Sequence, residues 1–210
     1  MKNNWKDIKW IFEPDGTLRD IYVQDVDESD YRKVVDLLNS EYELKFGSEG
    51  VRQIDFKYLK SMWNDESGQI ESKSVAIDLN GILINSHFFI PDQIEFDLDP
   101  KQISQMGDLQ QILNFMTNIS KTISKQVTLT DENRVVFPLI KIDTQKERHI
   151  VLSKVEMMKI SKKAEVYPNW FVRMKNLLFP KRLSVEEFEY ETMKSAFREF
   201  ESTPKERNVW

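Results

Sequence analysis

Between Gln24 and Tyr31 the chain reads QDVDESDY, which gathers the carboxylates of Asp25, Asp27, Glu28 and Asp30. A second acidic stretch, IPDQIEFDLDPK from Ile90 to Lys101, sets Glu95, Asp97 and Asp99 at alternate positions. Carboxylates so spaced serve one of three chemistries. They hold a divalent cation, they activate water in a metal-dependent hydrolase, or they attract a basic partner.

The first two make demands that this sequence does not meet. Asp25, Asp27 and Ser29 match the first three alternating ligand positions of an EF-hand. The sixth position needs glycine for its sharp turn and holds Asp30, and the twelfth needs a bidentate Glu and holds Asp36. Pro91-Asp92 followed by Asp99-Pro100-Lys101 approximates a nuclease pattern of two metal-holding acids and a lysine that assists water. Only six residues separate Asp92 from Asp99, too few for the strand, turn and strand that bring such acids together. Pro100 would also break a strand presenting Lys101. A metal-dependent hydrolase therefore rests on acid clusters alone and ranks third among the functional readings.

Nucleophilic catalysis fares no better. His87 adjoins Ser86, and neighbours on a strand point to opposite faces, so the two do not pair as nucleophile and base. His149 lies beside Arg148 at a charged strand start, and no G-x-S-x-G elbow occurs. The chain has no cysteine, which removes disulfides, thiolate metal sites and cysteine nucleophiles, and makes a reducing cytoplasm the expected location. Two histidines without cysteine make a poor zinc site. Six scattered glycines form no phosphate loop. The expectation is a non-enzyme with no cofactor and no bound metal.

The third chemistry fits the distribution of charge. The net charge of −5 divides into −8 over residues 1–153, +6 over 154–182 and −3 over 183–210. An acidic body thus precedes a basic segment. In that segment Lys159, Lys162, Lys163, Arg173, Lys175, Lys181 and Arg182 surround Tyr167, Trp170 and Phe171. Trp170, Phe171, Met174, Leu177 and Leu178 recur at helical spacing, and Pro180 ends the run. The stripe either packs on the body or, through Trp170, Phe171, Arg173, Met174, Lys175 and Leu178, docks on another protein. Anionic membrane and nucleic acid are the less favoured partners of residues 159–182.

These residues need elements to position them. Trp10-Ile11-Phe12 and Leu18–Val23, separated by Pro14-Asp15-Gly16, read as a hairpin. A helix capped by Asp27 or Ser29 runs to Glu41 with Tyr31, Val34, Val35, Leu38 and Tyr42 on one face. Leu44–Phe46 reads as a short strand and Phe56–Trp63 as a short helix. Ser74–Leu79 and Ile82–Ile90 form a second hairpin around Asn80-Gly81, whose residues suit positive φ. Ile94–Leu98 alternates as an edge strand with Glu95, Asp97 and Asp99 toward water. A helix over about 108–125 buries Leu109, Ile112, Leu113, Met116, Ile119 and Ile123. Strands follow at Val127–Thr130, Val135–Ile142 and Ile150–Val155, then the stripe helix. A last helix, with Ser184 and Glu187 as its capping box, buries Phe188, Met193, Ala196, Phe197 and Phe200. Thr203–Trp210 is expected to fray.

Two stretches echo each other: FEPDGTLRDIYV with DYRKVVDLLN, and FIPDQIEFDLD with DLQQILNFMTN. They match Val34 to Ile112, Val35 to Leu113 and Leu38 to Met116, and unrelated strand–helix units of like polarity would do the same.

The order of elements predicts an α+β fold: an antiparallel sheet built from hairpins with helices on one face, plus a C-terminal helical segment. Residues 1–155 make the acidic body and 156–210 the C-terminal segment, packed on it. No apolar run is long enough to cross a bilayer, and the N-terminus lacks a signal-peptide core. The functional expectation is a cytoplasmic, non-catalytic protein-binding protein. Its acidic face, Asp25, Asp27, Glu28 and Asp30 with Glu95, Asp97 and Asp99, would meet a basic partner as immunity proteins and antitoxins meet the toxins they block. That is an analogy of charge and architecture. The alternative is an accessory subunit tethered to an assembly or a membrane surface through its basic aromatic helices.

Overall fold

A computed structural model describes residues 4–135, 137–166 and 185–202. The described residues divide into two compact units, one of residues 11–150 and one in which residues 4–10 join 151–166 and 185–202.

The strands among the described residues are β1 Arg19–Val23, β2 Glu43–Phe46, β3 Val75–Leu79, β4 Ile82–Ser86, β5 Ile94–Leu98, β6 Val127–Asp131, β7 Ile140–Asp143 and β8 Arg148–Val151. They form one eight-stranded antiparallel sheet in the order β2-β3-β4-β5-β1-β6-β7-β8. The fold is α+β, as the order of elements predicts. Numbering α1 for the short helix Trp5–Ile8 of the second unit, the helices of the first are α2 Glu28–Glu41, α3 Phe56–Trp63 and α4 Met106–Ile123.

Local chemistry sets several of these boundaries. Asp27 N-caps α2 by accepting the Asp30 amide at 2.8 Å, while Asp30 reaches back to the Asp27 amide. That reciprocal pair satisfies two amides the helix leaves unbonded. Between β3 and β4, Asn80 and Gly81 take φ values of 54° and 96°. Both are positive, which a two-residue turn matching the strand twist requires.

The sheet's first face is apolar. Ile21, Ile94, Phe96, Leu98 and Leu129 are buried there, and Phe96 meets Phe115 of α4 edge to face, 5.1 Å between ring centres. α2 packs beside α4 on this face. The six expected core residues of α4 are all buried, so its apolar stripe is fully taken up by the sheet and α2. The strand–helix units that echo in sequence are neighbours: β1 leads to α2, β5 leads to α4, and β1 pairs with β5.

Some expectations need correction. Trp10–Phe12 is not a strand: Lys9–Phe12 forms a 3-10 turn, and no hairpin joins it to β1. Both sides of β1 are taken, by β5 and β6, so no ladder position remains for it. Pro14-Asp15-Gly16 still bends the chain, and Asp15 Oδ1 accepts the Thr17 amide at 3.0 Å. The same pairing overturns the edge position of Ile94–Leu98: β5 lies inside the sheet between β4 and β1. β4 stops at Ser86, because Phe88 turns left-handed at φ 53°. β7 begins only at Ile140, and β8 ends at Val151. There Ser153 and Glu156 cap the next helix reciprocally, with the Ser153 amide donating to Glu156 at 3.0 Å.

The second unit contains α1, α5 Lys154–Val166 and α6 Val185–Ser202. The α1 and α5 helices are in contact, and Trp10 Nε1–H donates to the Leu152 carbonyl at 3.1 Å. In α6, Ala196, Phe197 and Phe200 are buried, as its periodicity predicts, and Met193 is half-buried. Ser184, the side chain of Phe188 and Thr203–Trp210 lie outside the described residues.

Candidate functional site

The strand period of two assigns side chains to the sheet's second face. Ile21, Phe96 and Leu98 face the helices, so Asp20 and Tyr22 of β1, Glu95 and Asp97 of β5, and Leu83 and Asn85 of β4 face the other way. Register sets Asp20 opposite Asp97, Tyr22 opposite Glu95, and Asn85 opposite Asp97. Three carboxylates and a phenol on adjacent strands thus form one patch.

Hydrogen bonds tie the patch together. Tyr22 hydroxyl donates to Asp20 at 2.9 Å and lies 3.3 Å from Glu95 Oε1. Gln93 donates to Glu95 at 3.2 Å, and Asn85 donates to Asp97 at 3.1 Å. The Asn133 amide closes on Asp20 at 2.7 Å. His87 Nε2 stands 3.2 Å from Asp97 Oδ2, and the His87 ring stacks on Phe89 with 5.2 Å between centres.

The electrostatics follow from burial. Asp20, 2 % exposed, has its pKa raised by burial, and the Asn133 and Tyr22 bonds pull it back only in part. Glu95 is likewise raised, first by burial and then by the charge of Asp20. Burial and the bond to Asp20 push the Tyr22 phenol far above its ordinary range. Among the described residues, no lysine or arginine pairs with Asp20, Glu95 or Asp97. Like charges opposite one another on neighbouring strands destabilise the sheet that carries them, and a cation arriving at Asp97 and Glu95 would relieve that repulsion. A concavity of about 270 Å³ borders the patch, lined by Tyr22, Gln24, Gln126 and Thr128 among others.

The four acids at the head of α2 are placed differently. Asp27 and Asp30 are the helix cap. Asp30 also pairs with Lys125 at 3.3 Å and with Lys33 at 3.9 Å, and Glu28 pairs with Lys60 at 2.8 Å. Asp25 sits at φ 57°, its carbonyl accepting from Lys125 at 2.7 Å. The two acidic sets meet at one end of β5, where the Val26 amide donates to the Asp92 carbonyl at 3.1 Å and Gln24 donates to Gln93 at 2.6 Å. Their ion pairing differs. In the α2 set Glu28 and Asp30 are answered by lysine, and in the sheet set no acid is, among the described residues. Asp99 belongs with neither, because it caps the 3-10 turn Pro100–Gln102 at the far end of β5.

Glu95 and Asp97 therefore do not face water from a sheet edge; they are half-buried within it. Asp92 and Asp99 are separated by the whole of β5. Among the described residues, no three His, Asp or Glu side chains converge as a metal site would require. Ser86 is fully buried and donates to the Glu95 carbonyl at 2.7 Å, which occupies its hydroxyl. His149, on β8, has its pKa lowered by burial and by Lys121. Trp170, Phe171, Arg173, Met174, Lys175 and Leu178 lie outside the described residues.

Sequence reasoning missed Asp20, Tyr22 and the His87–Asp97 pair. RDIYV and IEFDL both carry acid and apolar residues in alternation, but only the pairing of β1 with β5 reveals that the acids share a face. A second concavity, of about 480 Å³, lies where β2 and the β3–β4 turn approach α4. Its polar lining includes Asn80, Gln111 and Asn118, and Asn118 donates to the Tyr42 hydroxyl at 3.0 Å. Among the described residues, no helix is long and apolar enough to cross a membrane. In comparisons with family models, curated proteins and solved structures, nothing matches this chain.

Proposed function

We propose that the protein is a non-catalytic binding protein that turns the acidic second face of its sheet toward a basic protein partner, in the manner of an immunity- or antitoxin-type inhibitor. One observation carries the reading. Asp20, Glu95 and Asp97 share one face of the paired strands β1 and β5 without a lysine or arginine to answer them among the described residues. Glu95 and Asp97 supply the contact, and Asp20, buried beside Asp97 on the same face, adds to the field. A cationic side chain of the partner replaces carboxylate–carboxylate repulsion with attraction, so the patch is more stable in the complex than in the free protein. At the head of α2, Asp25 and Asp27, whose carboxylates make no ion pair among the described residues, add long-range steering.

The test is capture from native cells at low salt, followed by purification of the captured protein and direct binding measurements. Glu95→Gln with Asp97→Asn should weaken binding to the purified partner by about tenfold or more and flatten its dependence on salt. Affinity and salt dependence unchanged in the double variant would overturn the reading.

A further inference from the structure

The chain leaving β4 places two consecutive phenylalanines in opposite environments. Phe88 is 2 % exposed and Phe89 64 % exposed. The left-handed turn at Phe88, φ 53°, separates them. A bulky residue in that region is strained, and the strain persists only where the surroundings hold it. Here they do. The Phe88 ring lies 6.4 Å from Tyr31 and 6.2 Å from Phe46, and its carbonyl accepts the Trp63 indole N–H at 2.7 Å. With Phe88 locked inward, Phe89 is turned out, and its ring is stacked on His87, which is itself held by Asp97. Ile90 follows at 43 % exposed, and Leu83 of β4 at 50 %.

From this we infer that the Phe89–Ile90 corner is the apolar anchor of a protein-docking surface whose partner offers a hydrophobic pocket rimmed by arginine or lysine. The inference rests on the proposed function and names the partner's surface. Two independent features specify that occupant. The outward aromatic ring is pre-organised, so little side-chain freedom is lost when it enters a pocket. A central aromatic anchor surrounded by polar groups is also the pattern of an interface hot spot. Charge complementarity fixes the sign of the rim, because Asp97 is joined to the anchor through His87 and Glu95 lies on the same face. The same carboxylates repel phosphates and anionic lipid headgroups, which leaves a basic protein surface as the occupant.

A random peptide library displayed on phage, selected against the full chain at low salt, tests this before any natural partner has been identified. Enriched peptides should combine arginine or lysine with an apolar or aromatic residue. Their binding should fall about tenfold or more in Phe89→Ala and in Asp97→Asn, each checked for native folding by thermal unfolding. Phe89→Leu keeps apolar bulk and should retain part of the binding, and His87→Gln serves should Asp97→Asn not fold. Peptides that need Glu95 and Asp97 but tolerate Phe89→Ala and an Ile90→Ser change would overturn the anchor and leave the acidic-face reading standing. Peptides indifferent to both sets would overturn both. Failure to enrich any peptide over the Phe89→Ala protein would overturn the anchor.

Discussion

Asp20 and Asp97 stand directly opposite one another on β1 and β5, two acids paired where a sheet ordinarily places complementary side chains. Burial raises the Asp20 pKa above its ordinary 3.8, and the Asp97 charge adds to the effect. A raised folded-state pKa means that the folded protein holds its proton more tightly than the unfolded chain does. Stability contributed by this group therefore falls as pH rises from the ordinary carboxylate value through the raised one. Asp20→Asn keeps an oxygen for the Asn133 amide and the Tyr22 hydroxyl and removes the charge. It should raise the unfolding midpoint at pH 7 and flatten the decline of stability across that window. An equal loss of stability at pH 4 and pH 7, measured by thermal unfolding, would show the carboxylate to be a net stabiliser.

Arg19 is 3 % exposed, and its guanidinium clamps the chain that leads into β1. It donates to the Ile11 carbonyl at 2.7 Å, the Leu18 carbonyl at 2.9 Å and Thr17 at 2.9 Å, and pairs with Asp15 at 3.1 Å. Arg19→Met should cost about 3 kcal/mol in urea unfolding, since buried carbonyls lose their donor. The bond from Arg19, with those from Thr17, holds the Asp15 carboxyl well below its usual range. A depressed folded-state pKa contributes stability above the unfolded value that is lost as pH falls through the folded one. Asp15→Asn should therefore destabilise at neutral pH and converge on the parent in strong acid.

Phe88 and Phe89 differ by one position and should differ sharply in consequence. Phe88→Ala removes a buried ring and should cost about 3–5 kcal/mol. Phe89→Ala touches an exposed one and should stay within about 0.5 kcal/mol of the parent in the same denaturant titration. A comparable loss at both positions would mean that Phe89 is needed for folding.

The hydroxyl of Tyr31 is buried without a hydrogen-bond partner among the described residues, and its ring lies edge-on to Trp63 at 4.7 Å. Burial, with the charge of Glu95 behind it, pushes its pKa well above the ordinary phenol range. Tyr31→Phe keeps the ring and deletes the stranded oxygen, so it should be stabilising by about 1 kcal/mol. A loss of stability by calorimetry would reveal a partner for the hydroxyl.

What the sequence discloses here depends on how far apart the interacting residues lie. Asn80-Gly81 needs only itself to declare the β3–β4 hairpin, and Asp27 needs only Asp30 to start α2. Both are legible. The partners of β1 come from distant parts of the chain, so Trp10–Phe12, nearby and apolar, takes their place as the expected neighbour. The same distance hides the candidate site. IEFDL shows acid and apolar residues in alternation, which fits a water-facing edge as well as an interior strand opposed by RDIYV. The lysines that answer the α2 acids are equally remote: Lys60 for Glu28 and Lys125 for Asp30. One sequence therefore cannot separate neutralised acids from unanswered ones.

The central place of β1 has a consequence for the ribosome. The strand is made well before its neighbours β5 and then β6, which follow only after α2, α3 and the β3–β4 hairpin. Through that interval both of its hydrogen-bonding edges face outward on the nascent chain, while the hairpin can already close by itself. Long-range pairing of this kind is slow and leaves sticky edges in the meantime. Translation arrested between β4 and β5 would leave β1 a ready target for holdase chaperones, and release from them should coincide with the synthesis of β6.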